Sequence, residues 1–234
     1  MSQRPAIVTG GSSGIGREIA IALASAGCAV LITGRDIDRL EETAQAVPQG
    51  MWVTAGDIND PEFRAGLVDA AEATGAEGLP VLVNAAGVAT FGPTADLPPS
   101  AIRNLIETNL LTPIFLTQLA LPWMLEAGGG DIVNVGSIAS IQPFAEAAGY
   151  VASKYGLLGF TRSIANEHRK AGIRTLSILP GSVRTELWLD QPFAPPKELM
   201  LPPIAVGEAV RDAVMAPRDR FFDEILLMPP NGIL

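Results

Sequence analysis

The stretch Thr9-Gly10-Gly11-Ser12-Ser13-Gly14-Ile15-Gly16 joins a short apolar run to a segment with helical periodicity. The apolar run covers residues 6–9, and apolar side chains recur at helical spacing over residues 15–26. Glycines suit a tight turn between a strand and a helix, and a Cβ there would keep a diphosphate away from the backbone. Because the first amides of a helix and its dipole attract an anion, the stretch predicts a dinucleotide-binding turn. The residues expected at the cofactor are Gly10, Ser12, Ser13, Gly14, Ile15 and Gly16.

The alternation of a strand with a helix continues along the rest of the chain. Short apolar runs without strict period-two patterning suit strands that are buried on both faces of a sheet. The repeat predicts an α/β fold, a Rossmann-like doubly wound parallel sheet of about seven strands with helices on both faces. No linker interrupts it, so residues 1–234 are interpreted as a single dinucleotide-binding and catalytic domain. The predicted strands cover residues 6–9, 28–33, 51–55, 80–84, 131–135, 173–179 and 224–228, and the predicted helices cover residues 15–26, 37–47, 61–74, 101–126, 150–171 and 206–215.

Composition argues against several classes of protein. The chain has 234 residues, of which 48% are hydrophobic and 18% charged, as is typical of a folded globular protein. Its formal net charge of −9 argues against nucleic acid as a partner, because a phosphate backbone requires a basic surface. No apolar run approaches the roughly 18 residues of a membrane span, so a cytoplasmic protein without membrane association is expected. Cys28 and His168 are the only residues of their types, so no metal site is expected.

Two other motifs can be tested on the same glycine-rich turn. A Walker phosphate loop would place a lysine after its last glycine, whereas Arg17 follows Gly16, which argues against nucleoside triphosphate hydrolysis. Residues 10–14 also match the G-x-S-x-G nucleophile elbow of α/β-hydrolases, with Ser12 as the nucleophile. That chemistry needs a histidine base, and His168 lies among charged residues that predict a solvated helix surface. The hydrolase interpretation is therefore rejected.

The end of the second predicted strand, Thr33-Gly34-Arg35, bears on the choice between NAD and NADP. In dinucleotide folds an acidic residue at this point binds the adenosine ribose hydroxyls, whereas a basic residue accepts a 2′-phosphate. Gly34 replaces the acidic residue, and Arg35 offers two parallel donors that match a phosphate. We therefore expect NADP(H), with NAD(H) as the less favoured alternative and Ser12 or Arg39 as helpers. The competing interpretation is that Arg35 is an ordinary surface arginine.

Tyr150 and Lys154 are four residues apart near the start of a long predicted helix, which places them on one face, one turn apart. A phenol keeps its proton to about pH 10, and a neighbouring ammonium is expected to lower the pKa of Tyr150. Such a pair suits the proton transfer that accompanies hydride transfer to a ketone or from an alcohol. Ser137 follows a predicted strand, so its hydroxyl is expected at the carboxyl edge of the sheet, within reach of a substrate oxygen.

Several motifs occur in a fixed order along the chain: Thr9-Gly10-x-x-x-Gly14-x-Gly16, Asn84-Ala85-Ala86-Gly87, Asn109, Ser137, Tyr150-x-x-x-Lys154 and Pro180-Gly181. Together they resemble the short-chain dehydrogenase/reductase family over nearly the whole chain. The resemblance implies an NAD(P)-dependent oxidoreductase, a carbonyl reductase or alcohol dehydrogenase, that acts on a small molecule. It also implies a homodimer or homotetramer assembled through two long helices.

The resemblance further implies roles for individual residues. Tyr150 matches the residue that exchanges the proton, and Lys154 matches the one that binds the nicotinamide ribose and tunes the tyrosine. Ser137 matches the residue that orients the carbonyl, and Asn109 the one that bends its helix and completes a proton relay through water. Besides these residues, the glycine-rich turn and Arg35, the implied cofactor-binding residues are Asp57, Ile58, Asn84, Ala85, Gly87, Pro180, Gly181, Val183 and Thr185.

The substrate is expected to be small, neutral and largely hydrophobic. Residues 138–144 are mostly apolar, and an apolar wall favours an uncharged ketone or alcohol. Residues 187–203, where five prolines occur with Trp188 and Phe193, are predicted to form a flap over the ligand crevice. In the competing interpretation, these apolar residues pack against neighbouring subunits or against each other.

Acidic residues near these segments bear on the same question. Glu146, Glu186 and Asp190 lie close to them in sequence and are expected to disfavour acidic substrates. A different function is also compatible with the fold, namely a catalytically silent dinucleotide-binding regulatory protein. Regulators of that kind usually lack the tyrosine or the lysine, and this chain has both Tyr150 and Lys154.

Overall fold

Seven parallel strands form one sheet, as seen in a computed structural model that describes residues 3–189 and 194–232. The strands are β1 Pro5–Thr9, β2 Ala29–Gly34, β3 Met51–Ala55, β4 Val81–Asn84, β5 Gly130–Val135, β6 Ile173–Pro180 and β7 Glu224–Leu227. Their order across the sheet is β3-β2-β1-β4-β5-β6-β7. The order reverses between β1 and β4, and in open α/β sheets ligands bind at the carboxyl ends of the strands beside such a reversal.

Helices cover both faces of this sheet, which confirms the predicted Rossmann-like, doubly wound fold in a single domain. They are α1 Gly14–Ser25, α2 Ile37–Gln45, α3 Pro61–Ala65, α4 Leu67–Glu72, α5 Pro99–Ile106, α6 Thr112–Glu126, α7 Ala148–His168 and α8 Pro203–Met215. One buried apolar cluster joins α1 and α8 to one face of the sheet, and a second joins α4, α6 and α7 to the other. The core therefore lies in two layers that hold the sheet between them.

The central strands have continuous apolar sequences because both of their faces are covered. In β1, Ala6 and Val8 belong to the cluster on the α1 side and Ile7 to the cluster on the other side. The prediction of burial on both faces is wrong for the edge strands β3 and β7. Trp52 is 40% exposed and Leu226 53% exposed, because an edge strand has a neighbouring strand on one side only and less helix cover.

Two predicted helices are interrupted in the structure. Residues 61–74 are divided at Gly66 into α3 and α4, and residues 101–126 are divided by the π-helical segment Glu107–Leu111. Within that segment the side chain of Asn109 bonds to main-chain atoms of Val88, which follows another strand. Helical periodicity does not encode such a tertiary contact, and π turns occur frequently at functional sites. The remaining predicted boundaries differ from the observed ones by three residues or fewer.

Candidate active site

The glycine-rich turn packs its main chain directly against the loop that follows β4. Gly10 has a φ of 69°, and a Cβ on it would lie 2.9 Å from the Cα of Ala86. The hydroxyl of Thr9 accepts hydrogen bonds of 3.0 Å from the amides of Ala85 and Ala86. At Gly16 a Cβ would lie 2.3 Å from the carbonyl oxygen of Gly10. Main-chain atoms therefore lie too close to Gly10 and Gly16 for a side chain at either position, and the Thr9 hydroxyl joins the turn to the loop after β4.

A groove of about 580 Å³ crosses the carboxyl ends of the strands from this turn. It brings together most of the residues predicted to bind the cofactor. The predicted residues that line it are Gly10, Ser12, Ser13, Gly14, Ile15, Gly16, Arg35, Asp57, Ile58, Ala85, Gly87, Tyr150, Lys154 and Thr185. Pro180, Gly181 and Val183 line a neighbouring cavity instead.

Asn84 is the one predicted cofactor-binding residue that lines neither the groove nor the cavity. It is buried in β4, where its amide donates a hydrogen bond of 2.8 Å to Asn134 of β5. The amide of Asn134 in turn donates a hydrogen bond of 2.8 Å to the hydroxyl of Thr161 in α7. These contacts tie two neighbouring strands to the helix that carries Tyr150 and Lys154.

The two arginines near the end of β2 have different surroundings. Arg35 is exposed on the groove and makes no hydrogen bond or ion pair with any residue in the described part of the chain. Arg39 donates hydrogen bonds of 3.0 and 2.6 Å to the two carboxylate oxygens of Glu186 and does not line the groove. The space between Gly34 and Ser12 is narrow, because a Cβ on Gly34 would lie 3.0 Å from the Ser12 hydroxyl. Arg35 and Ser12, rather than Arg39, therefore stand at this end of the groove.

Lys154 lies one turn after Tyr150 on α7, and its side chain is buried. Its ammonium donates a hydrogen bond of 2.8 Å to the carbonyl of Val135 at the end of β5. The same nitrogen is 5.8 Å from the centroid of the Tyr150 ring. Removal from water disfavours the charged form, so burial lowers the pKa of Lys154 from 10.5 to about 8.

The pKa of Tyr150 differs from the expectation. Burial raises it above its ordinary value, and hydrogen bonding with the Ser137 hydroxyl opposes this rise only in part. The prediction that Lys154 lowers the pKa of Tyr150 is therefore wrong for this structure, because the loss of solvation outweighs the other influences. Tyr150 is a neutral phenol at neutral pH, which is the form that donates a proton.

Asn109 connects the π-helical segment to the start of α7. Its amide donates hydrogen bonds to the carbonyl of Val88 and to the hydroxyl of Ser153, and its side-chain oxygen accepts one from the amide of Val88. The Ser153 hydroxyl donates a hydrogen bond of 2.7 Å to the carbonyl of Tyr150. A Cβ on Gly87 would lie 3.3 Å from the Asn109 side-chain oxygen. Asn109 thus joins the loop after β4 to the turn of α7 that presents Tyr150.

A second cavity, of about 370 Å³, adjoins the groove and is mainly apolar. Ser137 and Tyr150 line it, and Tyr150, Gly136 and Thr185 line both spaces. From the predicted flap, Leu187, Trp188 and Pro195 line the cavity, whereas Asp190 and Phe193 lie outside the described residues. The base of the flap is held by main-chain hydrogen bonds of 2.9 Å that pair Ser182 and Arg184 with Leu201.

Sequence reasoning missed Phe91, which also lines this cavity. The Phe91 ring stacks on Trp188, with centroids 5.9 Å apart, and its edge meets the Tyr150 ring at 5.6 Å. Phe91 therefore joins the predicted flap to Tyr150. The available signal was its place in the loop after β4, because such loops meet at the ligand-binding edge of a parallel sheet.

The acidic residues named in the sequence analysis, the single histidine and the single cysteine occupy different places in the structure. Glu146 lines the apolar cavity, whereas Glu186 lines the groove. His168 lines neither space, and its side chain is 25% exposed at the end of α7, so it is partly solvated and lies apart from Ser12, which lines the groove. Cys28 is buried, and burial raises the pKa of its thiol.

Within residues 3–189 and 194–232, no helix is long and apolar enough to cross a membrane. In the same ranges, no group of acidic, histidine or cysteine side chains forms a potential metal site.

Comparisons with known proteins agree with this geometry. Residues 4–192 match the family model described as short chain dehydrogenase. The chain is 36% identical over 193 residues to YusZ, an uncharacterized oxidoreductase of Bacillus subtilis, and the match covers 80% of this chain and 68% of the relative. A metagenomic short-chain oxidoreductase solved in complex with NADP has a TM-score of 0.84 at 32% identity and is matched over 97% of both chains. A variant of the actinorhodin polyketide ketoreductase solved with NADPH has a TM-score of 0.86 at 29% identity, over 97% of this chain and 96% of that one.

Proposed function

Because the chain belongs to the short-chain dehydrogenase family, we propose that it is an NADP-dependent oxidoreductase that interconverts a carbonyl group and a secondary alcohol. The observation that carries this proposal is the position of Tyr150, which lines both the groove and the apolar cavity. A proton donor at that junction reaches a substrate in the cavity while the cofactor occupies the groove. A silent regulatory protein is not favoured, because Tyr150 and Lys154 are both present and face one another.

The groove fits a nicotinamide dinucleotide in shape and in its hydrogen-bond donors. Side chains at Gly10 or Gly16 would collide with main-chain atoms, so the turn stays open to a diphosphate. Ser13 begins α1 without a side-chain cap, which leaves the first amides of the helix to an anion. Arg35 supports NADP over NAD, because an exposed guanidinium with no partner in the described chain is a suitable donor to a 2′-phosphate. Asp57 and Ile58 line the groove near its adenosine end.

The residues around Tyr150 suit reduction of a carbonyl at neutral pH. The Ser137 hydroxyl orients the substrate oxygen, and the neutral phenol of Tyr150 donates its proton to that oxygen. A bound nicotinamide supplies the hydride in reduction and accepts it in oxidation. Lys154, whose pKa is about 8, is mostly protonated at pH 7, so its charge stabilises the phenolate that remains. In the opposite direction, Tyr150 accepts the proton of the alcohol.

Asn109 is a positioning residue in this scheme. Its hydrogen bond to Ser153, which bonds in turn to the Tyr150 carbonyl, holds the first turn of α7 against the loop after β4. We also assign to Asn109 the proton relay that the family resemblance implies, through water that reaches Lys154. Proton supply from solvent then restores Tyr150 after each reduction.

The cavity supports a small, neutral and largely hydrophobic carbonyl compound as substrate. Phe91, Phe144, Leu187 and Trp188 supply apolar surface, and the polar groups of Ser137 and Tyr150 stand where the cavity meets the groove. Such a distribution binds the body of a substrate by burial and fixes its oxygen by hydrogen bonds. It is the distribution expected of a carbonyl reductase.

We also propose that the protein is cytoplasmic and forms a homo-oligomer. Large apolar side chains are exposed on the two long helices, with Phe115, Leu119 and Leu125 on α6 and Tyr155 on α7 each at least 36% exposed. Contact between copies of the chain through these helices would bury that surface. Light scattering is expected to give the mass of a dimer or a tetramer, and the mass of one chain would contradict this part of the proposal.

Substitution of Tyr150 tests the proposed chemistry. A panel of ketones and alcohols is assayed with NADPH and NADP by the absorbance of the reduced nicotinamide. Tyr150→Phe removes only the hydroxyl, so turnover is expected to fall by about a hundredfold or more while cofactor binding, followed by fluorescence, persists. The matched control is Tyr155→Phe, which alters the chain's other tyrosine on an exposed part of α7. Full turnover by Tyr150→Phe would refute the proposal.

A further inference from the structure

Glu146 has an unusual backbone conformation beside the substrate cavity. Its φ is 59°, and it is the one residue other than glycine with a positive φ among residues 3–189 and 194–232. In this left-handed region the Cβ of an L-amino acid is crowded by the following carbonyl, and glycine or asparagine is the usual occupant. Strained conformations of this kind occur preferentially at active sites and ligand-binding segments. The need for a turn before α7 does not by itself explain why glutamate, and not glycine, occupies this position.

The charge of Glu146 distinguishes it from every other residue of the cavity wall. The described residues that line the cavity carry apolar or neutral polar side chains, apart from Glu146. The Glu146 carboxylate makes no hydrogen bond or ion pair with a residue in the described ranges, although the residue is partly buried. A carboxylate without a partner gains from a donor or a cation that enters beside it.

The main chain of Glu146 is hydrogen-bonded to the residue that follows Phe91. The carbonyl of Glu146 accepts a hydrogen bond of 2.7 Å from the amide of Gly92. Gly92 follows Phe91, whose ring contacts both Trp188 and Tyr150. Glu146 thus stands at a defined place relative to the proton donor, four residues before it in sequence. The hydrogen bond from Gly92 fixes the main chain of Glu146 relative to the loop that carries Phe91.

We infer that Glu146 is a specificity-determining residue, and that among apolar carbonyl substrates it selects those with a protonated amine apart from the carbonyl. This inference rests on the proposed reaction and goes beyond the proposed function in one respect, because the substrate it names carries a positive charge apart from its carbonyl and is not neutral. The Glu146 carboxylate forms a charge-assisted hydrogen bond with the ammonium, while the aromatic wall buries the apolar part between the two polar ends. The same carboxylate repels an anionic substrate. The net charge of −9 also favours the approach of a cation over that of an anion.

Matched ketones test the inference. The probes are para-(aminomethyl)acetophenone, para-ethylacetophenone and para-acetylbenzoate, which share one aryl ketone and differ in charge. The wild-type enzyme is expected to show its highest kcat/KM with the amine and its lowest with the carboxylate. In Glu146→Gln, which keeps the shape and removes the charge, the preference for the amine over the ethyl ketone is expected to fall about tenfold or more. An unchanged preference for the amine over the ethyl ketone in Glu146→Gln would overturn the inference.

A second variant and a binding measurement separate this inference from the proposed function. Glu146→Gly relieves the positive φ, so it is expected to raise the Tm and to lose the amine preference as Glu146→Gln does. Calorimetry with the NADPH-saturated enzyme compares benzylamine with benzyl alcohol and needs no turnover, because neither compound can accept a hydride. Wild-type enzyme is expected to bind the amine more tightly, and equal affinities would contradict the role of Glu146 whether or not ketones are reduced. If the amine binds more tightly but no carbonyl is turned over, the proposed function fails and the site assignment stands.

Discussion

Lys154→Met is expected to abolish reduction and yet to make the protein more stable at pH 7. The pKa of Lys154 is lowered from 10.5 to about 8 by burial, and this difference corresponds to roughly 3 kcal/mol of destabilisation while the unfolded chain keeps its proton. The variant also loses the hydrogen bond to the Val135 carbonyl, which contributes about 1 kcal/mol. Methionine fills the same buried space, so the net gain is about 2 kcal/mol, or an increase in Tm of about 4–8 °C.

The pH dependence of this difference identifies its cause. In the folded wild-type protein Lys154 loses its proton above about pH 8, whereas the unfolded chain keeps it to about pH 10.5. The unfolded state therefore binds more protons in this window, and the stability of the wild type rises with pH across it. The advantage of Lys154→Met is expected to shrink from pH 8 and to reverse above pH 10.5, where the wild type is more stable by about 1 kcal/mol because it keeps the hydrogen bond to Val135.

Thermal unfolding of both proteins from pH 7 to 11 measures the effect, and Lys170→Met provides the matched control on an exposed lysine. The control is expected to show no comparable change with pH. A lower Tm for Lys154→Met at pH 7, or a difference from the wild type that does not vary with pH, would refute the reasoning. Either result would mean that burial of the charged Lys154 side chain does not destabilise the folded protein.

Two further predictions concern the groove. Arg35→Ala is expected to reduce kcat/KM for NADPH by about tenfold and to leave kcat/KM for NADH nearly unchanged, because an exposed guanidinium contributes about 1–2 kcal/mol to a phosphate contact. The control is Arg39→Ala, which alters the arginine paired with Glu186. An equal loss with both cofactors in Arg35→Ala would contradict the assignment of Arg35 to the 2′-phosphate. Gly16→Ala is expected to weaken the binding of both cofactors by at least tenfold and to lower the Tm, since its Cβ would lie 2.3 Å from the Gly10 carbonyl oxygen. Calorimetric titration with each cofactor measures the affinities. Unchanged affinities would show that the turn does not hold the diphosphate.

Local sequence carried the information that identified the fold and most of the candidate site. The glycine-rich turn connects two adjacent elements, and the four-residue interval from Tyr150 to Lys154 fixes one helix face, so neither needs knowledge of distant contacts. The continuous apolar strands likewise follow from burial on both faces of a sheet. These patterns placed the predicted catalytic residues around one edge of the sheet.

Features that depend on distant neighbours were not accessible from the sequence. The π-helical segment exists where Asn109 meets Val88, which is far away in sequence, and the exposure of Trp52 follows from the place of β3 at the edge of the sheet. The pKa of Tyr150 was predicted in the wrong direction because burial raises this pKa more than the hydrogen bond with Ser137 lowers it, and burial depends on how distant loops pack. Phe91 has no motif of its own and gains its significance only through its contacts with Trp188 and Tyr150.

We expect Tyr150 and Ser137 together to hold a carbonyl oxygen at the junction of the groove and the cavity. A crystal structure with NADP and a ketone inhibitor would show this contact. The Tyr150 and Ser137 hydroxyl oxygens are both expected to lie about 2.6–3.2 Å from the carbonyl oxygen, with Lys154 on the nicotinamide ribose. A structure in which the dinucleotide fills the groove and the carbonyl oxygen contacts neither hydroxyl would contradict this expectation.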